Sequence, residues 1–227
     1  MISHRQIIGG GGIGLHLAST GPKAAPPILF VHGFLHSLRS WTKQLSGALA
    51  KEFRLHALDM RGHGDSDRPR AKNAYRDGAL WARDMAAAVD ACQRAPVVVV
   101  WSYPGLMLGD YLRRFGGAAL AGVVLVAALT GIGQRRAPTR EDTVSPLFSD
   151  DPEVARPAMR NFVDRCVDGE LPLPEREVRT VQALSVPRAA RLGMNMRQED
   201  FLPDYAALEA PALVVYEWGG ETLRELG

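Results

Sequence analysis

The chain has 227 residues, 46% of them hydrophobic and 23% charged, which is enough for one sizeable core and short for two. Its formal net charge of +2 offers no field for nucleic acid, and no apolar run approaches the roughly 18 residues of a membrane span. Cys92 and Cys166 make neither a metal spacing nor a disulfide framework, and the glycine-broken N-terminus with Arg5 is a poor secretory signal, so a cytoplasmic protein with no nucleic-acid or membrane partner is expected.

Ser3–Ala18 reads as a β-hairpin turning at Gly9–Gly12. Gly9, Gly11 and Gly14 also fit G-x-G-x-x-G, but a dinucleotide site needs glycines that open a helix and an acidic residue about 20 positions on. Here they lead into strand-like Leu15-His16-Leu17, and no Asp or Glu precedes Glu52. Ile28–Val31 is a short apolar run of the kind buried on both faces of a parallel sheet. Spacing predicts a helix over Trp41–Ala50, a strand over Phe53–Leu58 and a glycine-punctuated loop over Asp59–Pro69. Asp77 can cap a helix whose apolar stripe is Trp81, Met85, Ala88/Val89 and Cys92. Val97–Val100 is the most strand-like run; a helix over Pro104–Phe115 and a strand over Val123–Ala127 follow. This alternation predicts an α/β fold with a mostly parallel sheet and helices on both faces. From about Thr130 to Tyr205 the rhythm breaks into Pro- and Arg-rich helical stretches, one of them opened by Asp151-Pro152-Glu153. Strand character returns at Pro211–Tyr216. One domain over residues 1–227 is expected, with a helical cap inserted at about 130–205.

The informative unit for chemistry is Val97–Gly105: a buried strand, then Trp101-Ser102-Tyr103, then Pro-Gly and a helix. A serine on so sharp a turn is pushed out of the sheet, and the next backbone N–H sits where it can meet a developing oxyanion. Two companions stand in order upstream: His32-Gly33-Phe34 after the first core strand, and Asp59-Met60-Arg61-Gly62-His63-Gly64-Asp65-Ser66 after the next. With these motifs, and with Asp110–Arg113 and Leu120–Gly122, residues 10–216 resemble the α/β-hydrolases, in particular esterase- and haloperoxidase-like members. The resemblance implies acyl transfer from a small carboxylic ester through Ser102, with the N–H groups of Phe34 and Tyr103 as oxyanion hole. It also implies an apolar pocket shaped by the cap, a small-molecule substrate, and no metal or organic cofactor. Serine at this position opposes haloalkane dehalogenase or epoxide hydrolase chemistry, for which the resemblance would demand an aspartate nucleophile.

Several positions depart from that pattern. Val100 and Pro104 stand where the family's Gly-x-Ser-x-Gly carries glycine, with Gly105 one position late. Val100 adds bulk where little room is expected, and Pro104 should bias Tyr103 away from the α region. All six histidines (4, 16, 32, 36, 56 and 63) precede Ser102, whereas the family order is nucleophile, acid, histidine. His32 and His63 read as parts of their loops, and His36 lies nearest the mouth of the site. After Leu213–Tyr216 the family has Gly-x-x-Asp; this chain has Glu217-Trp218-Gly219-Gly220, with Glu221 the nearest carboxylate. The triad acid and base are therefore unassigned, and the last strand and helix of the family are expected to be missing from a truncated chain. Two readings follow: a serine hydrolase lineage impaired in this chain, or a degenerate homologue that at most binds small apolar ligands. Self-association through the strand at 213–216, left as a sheet edge, is also expected.

Overall fold

In the computed structural model, which describes residues 1–131, 145–167 and 169–216, the short apolar runs become the strands of one sheet. β1 (Ser3–Ile8) and β2 (Gly14–Thr20) form the expected hairpin, joined by a 3-10 turn at Gly10–Gly12 in which Gly11 and Gly12 both take φ of 77°. Gly14 starts strand β2 and not a helix, so the glycine run is turn chemistry. β3 (Pro27–Val31), β4 (Arg54–Leu58), β5 (Val97–Trp101), β6 (Gly122–Val126) and β7 (Ala212–Val215) complete the order β1-β2-β4-β3-β5-β6-β7. β1 and β2 are antiparallel to their neighbours; every pairing from β4 through β7 is parallel.

Because side chains alternate along a strand, each central strand feeds two cores. Leu29, Val31, Val98, Val100, Val123 and Leu125 face one side, where α3 (Gly78–Ala91) and α4 (Pro104–Phe115) cover them. Phe30, Val99, Leu55 and Ala57 face the other, beneath Leu38, Trp41 and Leu45. The helix expected over Trp41–Ala50 is instead three pieces: a 3-10 turn at Leu38–Trp41, α1 (Thr42–Ser46) and α2 (Leu49–Glu52). Gly47 breaks it, with extended backbone at φ −91°, ψ −164°. Asp77 caps α3 by accepting from the Ala79 N–H at 2.8 Å, and the stripe Trp81, Met85, Ala88, Val89 and Cys92 is buried as its spacing requires.

Between β6 and β7 the described residues hold helices and no strand: α5 (Pro152–Asp164), α6 (Leu173–Ser185), α7 (Arg188–Asn195) and α8 (Leu202–Ala206). Asp151 caps α5 through the Glu153 N–H at 2.9 Å. No helix among the described residues is long and apolar enough to cross a membrane.

One buried ion pair ties the start of the sheet to α3. Arg61 meets both carboxylate oxygens of Asp84, at 2.6 and 2.7 Å, and donates as well to the carbonyls of Gly10, Ala74 and Leu80. The remaining demand of Asp84 is met by the Gly10 N–H at 2.7 Å. Burial pushes the Asp84 carboxyl up, and the Arg61 guanidinium opposes that push. Fully bonded, such a pair registers three chain segments against one another; removing one partner from it costs about 3–5 kcal/mol.

At the other end of the sheet, β7 pairs among the described residues with β6 alone, and Leu213, Val214 and Val215 are 58%, 51% and 41% exposed. A hydrophobic edge open on both faces is a template for a further strand. We propose that it drives self-association. Light scattering at high concentration should give a mass above that of one chain, falling towards the monomer for Val214→Lys; a monomer for both proteins would overturn this.

Candidate active site

Ser102 follows β5 directly and sits at φ 66°, a left-handed backbone that few non-glycine residues adopt. Three hydrogen bonds hold the turn: Ser102 N–H to Val126 O at 2.9 Å, Leu129 N–H to Ser102 O at 3.0 Å, and Gly105 N–H to Ser102 O at 3.1 Å. The chain then enters α4 through Tyr103 and Pro104. Gly105 supplies the close approach expected of a glycine two places after the serine: a Cβ here would overlap the Leu129 carbonyl. Val100 causes no crowding, because its side chain points into the core of β3, β5 and β6, fully buried and in register with Val31 and Leu125.

Tyr103 departs from expectation. It lies in the α region at φ −50°, ψ −42° despite the following proline. Packing accounts for this: its ring is buried between Phe34, at 6.3 Å, and Trp81, at 5.7 Å.

The facing loop is His32–Leu38. Gly33 lies against Trp101, whose ring and carbonyl would sit 3.3 Å from an added Cβ, and this contact brings Phe34 beside the serine. Leu35 is also left-handed, at φ 62°. Its own His32 and groups of the loop after β4 brace it. His32 donates from Nδ1 to Gly33 O at 2.8 Å and accepts the Met60 N–H at Nε2, 3.1 Å. His63 donates from Nδ1 to Arg61 O at 3.0 Å and accepts the Leu35 N–H at 3.3 Å. Asp59 accepts the Leu38 N–H at 2.7 Å.

Ser102, Phe34 and Tyr103 meet in one cavity of about 150 Å³, completed by Leu129, Phe162, Met194 and Asn195. Phe162 comes from α5, and Met194 and Asn195 from the end of α7, so helices between β6 and β7 form its roof. Phe162, Leu129 and Met194 were not singled out in the sequence; periodicity alone marks Phe162 as a helix-face residue and says nothing of the cavity. A wider groove of about 710 Å³ opens beyond Trp101, lined by Trp41, Val126 and Val178 among others, but Ser102 does not line it.

None of the six histidines is hydrogen-bonded to Ser102. His4 and His16 pair with each other and His16 with Asp59; His56 meets Ser19; His32 and His63 have both ring nitrogens in use. The His36 ring lies 4.6 Å from that of Trp101, tilted by 54°, and its buried Nε2 has no hydrogen-bond partner among the described residues. Burial pulls His36 and His63 down to about 3 and His56 to about 4, helped by the crowding of His32 against the first two and by Arg54 and Arg5 beside the third, and burial also lowers His32. These four rings are neutral at neutral pH. Glu217 and Glu221 lie outside the described residues, and no triad acid is assigned.

Comparison with known proteins sets this geometry in a family. A family model described as the alpha/beta hydrolase fold matches residues 26–187. The structure is similar to that of an esterase, RhEst1, from Rhodococcus sp. ECU1013, with 31% identity, a TM-score of 0.81 and coverage of 94% of this chain and 80% of that one. It is also similar to a candidate aryl esterase from Burkholderia cenocepacia, at 26% identity and a TM-score of 0.85, covering 94% and 79%. Among curated relatives, a non-heme chloroperoxidase from Streptomyces lividans is 34% identical over 110 residues, 48% of this chain and 39% of the relative. The matched stretches span well under half the length of that and the next curated relatives.

The buried histidines set a pH dependence. Their folded pKa values lie below the usual histidine value, so their neutral state stabilises the fold fully above about pH 6.5. That contribution is lost as pH falls, by about 1.4 kcal/mol per pH unit for each proton taken up on unfolding. His16 has the opposite sign: its hydrogen bond to Asp59 raises its pKa, so its share is complete below the usual value and lost as pH rises through the raised one. Four lowered histidines outnumber His16 and the Asp110 carboxyl, which burial pushes up to about 7 and which works in the opposite sense, so the urea midpoint should fall between pH 7.5 and pH 5. A flat midpoint would contradict the neutral, buried histidines.

Proposed function

The chain belongs to the α/β-hydrolase fold family, and from that premise we propose that Ser102 is the nucleophile of a serine hydrolase acting on a small carboxylic ester. The reading rests on one observation: a left-handed serine at a strand-to-helix turn, opening into a cavity it shares with Phe34 and Tyr103. In this scheme Ser102 Oγ attacks the ester carbonyl, the backbone N–H groups of Phe34 and Tyr103 receive the oxyanion, the serine proton passes to the departing alkoxide so that the alcohol leaves, and water then cleaves the acyl-enzyme to release the acid. The cavity of about 150 Å³ is the size of an apolar void that takes a benzene-sized guest. It suits a short acyl chain or a single ring. A relative named as a chloroperoxidase does not alter this assignment, because such a label would rest on the same residues.

A second reading has its own observation in support. Among the described residues no histidine is hydrogen-bonded to Ser102, so none of the six is placed to take its proton. Loss of such a base costs on the order of 10⁶ in turnover and leaves about 10³–10⁴ over water from the oxyanion hole and binding. Activity is therefore expected to be weak, and a protein that only binds small apolar ligands is the limit of that trend.

The assay is hydrolysis of p-nitrophenyl esters by the purified chain. Slow hydrolysis of the acetate is expected, abolished by Ser102→Ala and weaker still for the octanoate. Turnover of several per second would overturn the impairment. A slow rate unchanged by Ser102→Ala would overturn the nucleophile and favour the binding reading.

A further inference from the structure

On the opposite edge of the molecule from β7, the hairpin strand β2 lies antiparallel to β4, with Leu17 opposite Leu58. That register carries His16 to the start of the loop that follows β4, where Asp59 and Asp65 stand. His16 Nδ1 lies 2.8 Å from Asp59 Oδ2 and 3.8 Å from Asp65 Oδ2. One ligand atom from each of the three residues falls within 4.8 Å of the other two. Zinc bonds to nitrogen and oxygen of about 2.0–2.2 Å place tetrahedral ligand atoms about 3.3–3.6 Å apart, so the two measured separations bracket the required edge. Closing the set would widen the His16–Asp59 pair by about 0.5–0.8 Å, as the shared proton leaves, and draw in the Asp65 side chain, which is 82% exposed.

The surroundings are those of held ligands. Asp59 Oδ1 accepts the Leu38 N–H at 2.7 Å and Oδ2 accepts the Asp65 N–H at 3.0 Å, which fixes the carboxylate plane. The other ring nitrogen of His16, Nε2, lies 3.0 Å from His4 Nδ1, so with Nδ1 on a metal the Nε2–H has an acceptor waiting. Ser66 Oγ joins the two strands behind the cluster, accepting the His16 N–H at 2.9 Å and donating to Asp59 O at 2.6 Å. The cluster opens onto a groove of about 390 Å³ that Ser102 does not line. Arg68, on the same groove, is turned away onto the carbonyls of Gly64 and Ser185.

We propose that His16, Asp59 and Asp65 bind a divalent transition-metal ion of the Zn²⁺ type, with a fourth position open to the groove. One imidazole and two carboxylates neutralise the ion's charge, and the nitrogen donor favours Zn²⁺ over Mg²⁺. The proton that His16 shares with Asp59 leaves to solvent as the metal takes its place. No part of this depends on the ester chemistry at Ser102.

The test is titration of the EDTA-treated full chain with Zn²⁺ and with Mg²⁺, followed by calorimetry and by thermal melting. One equivalent of Zn²⁺ should bind and raise the melting temperature. Asp65→Asn, at an exposed position, should leave the metal-free melt unchanged and weaken Zn²⁺ binding at least tenfold. His4→Gln, which removes the partner of His16 and not a ligand, should weaken it about 10–100-fold. Binding no tighter than about 1 mM, equal affinity in Asp65→Asn, or Mg²⁺ binding as tight as Zn²⁺ would each overturn the site.

Discussion

The backbone at Ser102 is the constraint around which the molecule is arranged. A non-glycine residue held in the left-handed region costs of order 1–3 kcal/mol and persists only where its surroundings over-determine it. Here they do. The strand before Ser102 is locked between β3 and β6, its own N–H and C=O are tied to Val126 and Leu129, and α4 starts so close behind that only glycine fits at position 105. Relaxing φ at this residue would require moving β6 or α4, both of which carry core side chains. The serine's exposure to the cavity therefore comes from the packing of the whole sheet.

A second left-handed residue, Leu35, follows Phe34 in the loop that lines the cavity, and it is held by different means. No sheet confines the His32–Leu38 loop. His63 and Asp59 from the β4 side do so, together with the loop's own His32, which accepts the Met60 N–H, each through hydrogen bonds that the neutral ring or the ionised acid can make. This explains why these histidines contribute nothing to Ser102 as bases: their nitrogens are spent on backbone, and burial keeps them uncharged. Protein that loses this neutrality in acid loses the loop that carries Phe34. Site geometry and acid stability are thus two outcomes of one arrangement.

Much of this was legible in the sequence wherever the signal is local. Alternation and apolar runs gave the strands, Asp77 and Asp151 announced their helices, and the motifs around Phe34, Asp59 and Ser102 do come together. Local patterns failed where tertiary contacts decide. Pro104 reads as a misfit because the pattern assumes the glycine must stand two places after the serine, and the structure meets the same close approach at Gly105; Val100 reads as one because the pattern expects little room there, yet its side chain points into the core. Tyr103 keeps its α conformation because aromatic packing outweighs the bias from proline. The pairing of His16 with Asp59, 43 residues apart, was invisible because it depends on β2 lying beside β4. Phe162 and Met194 join the cavity only through the docking of helices whose placement no periodicity encodes.

The central claim is that the fold makes Ser102 a nucleophile poised between two amide donors, and covalent capture tests it without needing turnover. Incubation with a fluorophosphonate followed by peptide mapping should give a single adduct on the peptide carrying Ser102. Labelling should be slower in Gly105→Ala, where the added methyl forces α4 away from Leu129. An adduct distributed over other serines, or labelling no faster than in the urea-unfolded chain, would contradict the account.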